Sequence, residues 1–123
     1  MANSRHNLGL DGEEATAAWL SRAGWRVLAR RHRARFGGEV DIVALDPDGV
    51  LVAIEVKVRR TVRSGSPIES VDALKVAGLR RALAVFAHAS REPRSGLRVD
   101  LVAVEPVRGR RGAWRLRRVP GIG

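Results

Sequence analysis

Asp41, Glu55 and Lys57 are the residues whose types and spacing could do chemistry together. Between Val50 and Val58 side chains alternate along a strand, so Val50, Val52, Ile54, Val56 and Val58 form a β-branched row suited to packing under helices. The opposite face holds Leu51, Ala53, Glu55 and Lys57, which sets an acid and a base two residues apart, about 6.6 Å along the strand. The stretch GEVDIVALD before it also reads as a strand, and Pro47, Asp48 and Gly49 make a three-residue turn closed by a left-handed glycine. In that register Asp41 stands opposite Glu55 and Glu39 faces Lys57, whereas a two-residue loop would put the two acids on opposite faces.

Two facing carboxylates repel, and a divalent cation between them resolves the repulsion. Asp41 and Glu55 offer hard oxygen donors; the chain has no cysteine and no histidine pair at ligand spacing, so Mg²⁺ or Mn²⁺ suits the pair better than zinc. Such a cation lowers the pKa of a bound water and neutralises phosphodiester charge, while Lys57 can orient the water or stabilise the developing pentacovalent phosphate. Phosphodiester hydrolysis is the chemistry expected. Taken singly, Asp41 is an ordinary strand acid and Lys57 an ordinary solvated lysine; their common face beside arginine-rich segments makes them a candidate site.

The charge balance points the same way. Twenty-three Lys and Arg oppose 13 Asp and Glu, a net charge of +10, which calls for a polyanionic partner. Nucleic acid is that partner, although an arginine-rich composition can also reflect a GC-rich genome. Arg30, Arg31, Arg33 and Arg35 precede the hairpin and Arg59, Arg60 and Arg63 follow it, so phosphate contacts would flank the acids. Aromatic residues make up only 4% of the chain, too few for a platform of stacked bases, and Trp19 and Trp25 are expected in the core. No phosphate-cradling GxxxxGK[ST] motif is present, and His6, His32 and His88 are scattered, each read as a surface residue.

At 123 residues a single domain is expected, spanning the whole chain. Residues 1–10 read as a polar arm, followed by a helix with Asp11 as N-cap and Glu14 as its capping-box partner, ending at Gly24. A short strand leads into a basic, glycine-ended loop, then comes the hairpin. After Arg59 the run RRTVRSGSP reads as a phosphate-facing loop. Residues 69–89 form a helix with Val71, Leu74, Gly78, Ala82, Val85 and Phe86 along one stripe. LRVDLVAVEPV gives another strand, and the basic tail 108–123 adds a short edge strand at Ala113 to Arg117 before fraying. No run approaches the ~18 apolar residues of a membrane span, and the N-terminus lacks a signal-peptide core. A cytoplasmic chain with no membrane partner is expected.

The ordered set of GE in the first helix, GEVD, and EVK after a short hairpin resembles the YraN family of small bacterial proteins. That family belongs to the PD-(D/E)xK nuclease superfamily and is similar to archaeal Holliday-junction resolvases. The resemblance runs on through Pro67, Lys75 and RVDLVAV to about Val104. It implies an α/β fold, a restriction-endonuclease-like three-layer αβα sandwich with a central mixed sheet, and an Mg²⁺- or Mn²⁺-dependent endonuclease acting on DNA, branched DNA included. Asp41 matches the superfamily's aspartate, and Glu55, Val56 and Lys57 match its (D/E)xK element. Glu13 matches its helical glutamate, which makes this residue a third carboxylate and a metal ligand, directly or through water. Gly38 and Glu39 match the family's glycine-acid pair, with Glu39 a partner of Lys57 or a ligand if two metals bind. Lys75 is also matched, and on its helix it is expected either to contact a phosphate or to stay solvated.

Two departures stand out. Thr16 occupies a place usually small and apolar, and Val40 replaces the proline before the aspartate. A resolvase-like role favours a two-fold homodimer. The alternatives are a protein that keeps the nuclease fold and binds nucleic acid without cleaving it, and an adaptor that meets a protein partner through its basic surface.

Overall fold

A computed structural model describes residues 4–34, 38–59 and 71–123. The chain runs α1 (Ser4–Arg22), β1 (Arg26–Arg33), β2 (Glu39–Leu45), β3 (Val50–Val58), α2 (Ala73–Ala89), β4 (Gly96–Pro106) and β5 (Trp114–Val119). The strands form one sheet in the order β1-β2-β3-β4-β5. β3 and β4 are parallel and every other neighbouring pair is antiparallel. A parallel pair needs a crossover, and α2 is the helix in it.

The alternation read along β3 separates two cores. Leu51 and Ala53, with Val43, Leu45 and Val99, pack under Leu79, Ala82, Leu83 and Ala87 of α2. Val52, Ile54 and Val56, with Ile42, Ala44, Val102 and Val104, pack with Leu20 of α1 and with Trp25. Each helix thus closes one face of the sheet, giving a three-layer α/β/α sandwich around a mixed sheet. Full burial of each of these aliphatic side chains is worth roughly 1.5–3 kcal/mol, which is why the helices stay on the sheet.

The turns follow their sequence signals. Trp25 N–H reaches Leu20 carbonyl and Gly24 N–H reaches Ser21 carbonyl, a Schellman closure that needs the φ of 90° at Gly24. In the β2–β3 turn, Asp46 N–H donates to Val50 carbonyl and Gly49 takes φ 86°, so Pro47, Asp48 and Gly49 form the three-residue loop expected. Asp46 adds a lock, its Oδ1 accepting from the backbone N–H of Asp48 and Val50, both at 2.9 Å. Burial would raise the Asp46 pKa, but those N–H groups and Arg98 outweigh it and hold the carboxylate below its ordinary range.

Four expectations are corrected. Helix α1 begins at Ser4, so residues 4–10 are no arm, and Asp11 and Glu14 lie inside the helix instead of capping it. From Leu8 onward its buried positions are Gly12, Thr16 and Leu20, one per turn. Thr16 is satisfied there, its hydroxyl donating to Gly12 carbonyl at 2.7 Å. On α2, N-capped by Asp72, the buried face runs through Leu79, Ala82, Leu83 and Ala87, while Leu74 and Val85 of the expected stripe are 83% and 48% exposed. His32 is half-buried, edge-on to Phe86 at 5.1 Å, and not a surface residue. The tail does not fray after β5, because Gly121 N–H donates to Asp100 and Ile122 N–H to Val99 carbonyl.

Asp100 is completely buried and anchors that end of the molecule. Arg98 binds it through Nε and Nη2 at 2.8 and 3.1 Å, and Arg118 Nη1 at 2.9 Å. Both guanidinium groups also lie over the Trp25 ring. Replacing only the acid leaves two cations facing a buried gap, so Asp100→Ala should cost about 3–5 kcal/mol. A denaturant midpoint close to that of the unsubstituted chain would refute this.

Candidate active site

β2 and β3 hold their expected register from Leu45↔Leu51 to Ile42↔Ile54, and there the ladder ends. In an antiparallel ladder every second pair exchanges hydrogen bonds, so with Asp46 N–H bonded to Val50 carbonyl, Val56 N–H would next seek Val40 carbonyl. It donates instead to Asp41 Oδ2 at 2.8 Å. The strands part at Asp41, and a cleft opens where cross-strand contact was expected.

Helix α1 supplies the other wall of this cleft. A Cβ on Gly12 would stand 2.2 Å from Val58 Cγ2, so only glycine lets the helix approach β3 this closely. The approach brings Glu13 to the acids of the sheet. Leu8, Gly9, Glu13, Asp41, Glu55, Val56 and Val58 line a common cavity of about 480 Å³. Gly12→Ala should therefore destabilise the fold by roughly 1–3 kcal/mol through overpacking. A thermal melt unchanged by this substitution would contradict the close approach.

Electrostatics mark the cavity. Burial, then the charge of Glu55, pushes the Asp41 carboxyl up to about 7, against a smaller opposing effect of the Val56 N–H. Burial likewise raises Glu13, partly offset by Arg31 and Arg30, while Glu39 and Glu55 push it further up. Glu55 is buried between two lysines. Lys57 Nζ lies 3.5 Å from its Oε1, and Lys75 Nζ, from the first turn of α2, 3.6 Å from its Oε2. Both separations exceed the ~2.7–2.9 Å of a charged hydrogen bond.

Two buried oxygens, Glu13 Oε1 and Glu55 Oε2, have no hydrogen-bond partner among the described residues. An unpaired buried acceptor costs about 1–3 kcal/mol, more when charged, so such a pair in one cavity calls for a ligand that donates positive charge. Carboxylate oxygens without sulfur or imidazole fit a hard divalent cation. As the side chains stand, no three acidic or histidine side chains among the described residues form a closed ligand cluster.

The remaining expected residues divide. Arg31 Nε lies 3.9 Å from Glu13 Oε1. Arg31 is also the sole non-glycine residue with positive φ among those described, at 49°, on the part of β1 facing Asp41. This left-handed conformation costs roughly 1–2 kcal/mol in an L-residue. Glu39 does not face Lys57, because the ladder between their strands has ended; it pairs with Arg33, its partner on β1, at 3.7 Å. Arg59 follows β3, its N–H bonded to Val104 carbonyl. Arg35, Arg60 and Arg63 lie outside the described residues, as does Pro67. Sequence reasoning missed the place of Lys75 against Glu55, and only the glycine before Glu13 signalled the helix approach.

No helix among the described residues is long and apolar enough to cross a membrane. Residues 12–104, from the close-packed glycine to the end of the buried run of β4, match the model of the uncharacterised protein family UPF0102. A UPF0102 protein of Symbiobacterium thermophilum is 44% identical over 100 residues, 80% of this chain and 82% of the relative. One from Bifidobacterium longum is 39% identical over 95 residues, 76% of each chain. Another from Beutenbergia cavernae is 38% identical over 116 residues, 94% of this chain and 95% of the relative. With the family model and relatives of this coverage agreeing, the chain belongs to the uncharacterised protein family UPF0102.

Proposed function

We propose that this protein is a metal-dependent nuclease of the PD-(D/E)xK type, hydrolysing phosphodiester bonds in DNA, branched or structured DNA included. Asp41, Glu55 and Glu13 would hold Mg²⁺ or Mn²⁺. The observation that carries this reading is the pair of buried oxygens, Glu13 Oε1 and Glu55 Oε2, left without a hydrogen bond among the described residues in the cavity they share with Asp41. The resemblance of the Asp41 and Glu55-Val56-Lys57 elements to the YraN family supports it, as does the net charge of +10.

When bound, the cation would supply a water of lowered pKa and neutralise charge on the phosphate. The chain's own groups do the rest. Val56 N–H fixes one oxygen of Asp41, so the backbone orients this ligand in advance. Lys57 and Lys75 flank Glu55 from a strand and a helix, which restricts its carboxylate and places two ammonium groups beside the cavity. The Lys57 side chain is 34% exposed and so can reach a phosphate oxygen from solvent. Leu8, Val56 and Val58 supply the apolar part of the wall.

Incubation of the purified chain with branched, duplex and single-stranded DNA, and with RNA, in Mn²⁺, Mg²⁺ or chelator tests the reading. Cleavage that needs the cation and disappears with Asp41→Ala and with Lys57→Ala is expected. Cleavage that survives both substitutions would belong to another site or a contaminant, and no cleavage of any substrate would refute the enzymatic reading. A second reading, a nuclease fold that binds without cutting, is favoured by the lack of a closed ligand cluster among the described residues. It would show DNA binding indifferent to Mn²⁺.

A further inference from the structure

Among the described residues, the α2 helix covers one part of its sheet face and leaves another open. Its buried residues pack with Val43, Leu45, Leu51, Ala53 and Val99, toward the β2–β3 turn. Beyond Glu55 on the same face come Lys57 and, in register across the sheet, Ala103 of β4 and Arg117 of β5. Leu116 packs with the core under α1, so the alternation along β5 turns Arg117 to the α2 side. Arg117 is exposed and Ala103 half-buried. Strand spacing sets Lys57 and Arg117 roughly 10 Å apart, with a methyl group as the only side chain between them.

Neighbouring arginines differ in their surroundings. Arg115 stands opposite the acidic Glu105, whereas Arg117 stands opposite Ala103. A shallow row that begins at the lysine paired with Glu55 and ends in an arginine, with a small residue as its floor, suits a chain of regularly spaced anions. Arginine offers a planar fork to each phosphate.

We propose that the row Lys57–Ala103–Arg117 is a track for the phosphate backbone of nucleic acid, with Arg117 holding a phosphate displaced from the one at the cavity. This inference rests on the nuclease reading and extends it. It fixes the direction in which the bound strand leaves the acids, across β4 to the edge strand β5, and adds a contact from the C-terminal tail.

The test is duplex DNA binding by the full chain in chelator, measured across salt concentrations for the unsubstituted protein, Arg117→Ala, Arg117→Lys and Arg94→Ala. Arg94 is exposed before β4, at the far end of the sheet, and removes the same charge. Arg117→Ala is expected to weaken binding and to lower the slope of log K against log salt by about 0.9, the value for one lost phosphate contact. Arg117→Lys should restore most of that slope, and Arg94→Ala should leave it nearly unchanged. Equal effects of Arg117→Ala and Arg94→Ala would overturn the track while leaving the nuclease reading intact. If the unsubstituted protein binds no nucleic acid, both fall. Coincident thermal melts of the variants exclude misfolding, to which an exposed position on an edge strand is little prone.

Discussion

Asp41→Asn should abolish cation-dependent cleavage and at the same time make the cation-free protein more stable at pH 8. The two effects have one cause. Asp41 is pushed up to about 7 by burial and by Glu55, whereas the unfolded chain holds it near its ordinary 3.8. The folded state therefore binds this proton more tightly, and its stability falls as pH rises between those two values and stays low above them. Asparagine removes the titration but still accepts from Val56 N–H. In chelator, the unsubstituted protein should melt lower at pH 8 than at pH 5, and Asp41→Asn should lose the part of that difference due to Asp41, while the raised Glu13 keeps its own. Saturating Mn²⁺ should restore the native protein, since a ligand at 100 times its Kd adds about 2.7 kcal/mol. It should leave the variant unmoved. On the catalytic side a cation contributes several kcal/mol, so a loss on the order of 10³ in single-turnover rate is expected. A variant melting below the native protein at pH 8 in chelator would contradict the account of the cavity.

Lys57→Ala should lower the cleavage rate by about 10²–10³, the usual effect of deleting one positioned donor, with Mn²⁺ affinity changed far less. Lys57 and Lys75 both approach Glu55, yet they come from different elements. Lys57 sits on a central strand two residues from Glu55, while Lys75 extends from the exposed first turn of α2. Lys75→Ala should accordingly cost less than Lys57→Ala in single-turnover rate at saturating Mn²⁺. The reverse order would move the catalytic lysine from the strand to the helix.

The hairpin was legible because Pro47 and Gly49 locate its turn and because the β-branched row of β3 fixes which face is buried. The three layers were expected from the family resemblance, and the strands and helices along the chain build them. The parting of the strands was not legible, since it depends on a carboxylate capturing a backbone N–H fifteen residues on, a tertiary contact without local signature. Helix α1 misled at its start. Asp11 and Glu14 have the spacing of a capping box, while the buried Gly12 and Thr16 give almost no hydrophobic periodicity. On α2, alanines on several faces left Leu74 and Val85 as plausible core as Leu79 and Leu83, and only packing on the sheet decides between them. Asp100 read as one strand residue among others because its partners Arg118 and Gly121 lie on another element and beyond it.

Calorimetric titration of Mn²⁺ into the purified protein, and into Asp41→Asn and Glu55→Gln, bears most directly on the cavity as a cation site. The native chain should bind Mn²⁺ with release of protons near pH 7, and each substitution should remove that binding while the fold persists. Equal binding by all three proteins, or no binding by the native one, would contradict the assignment.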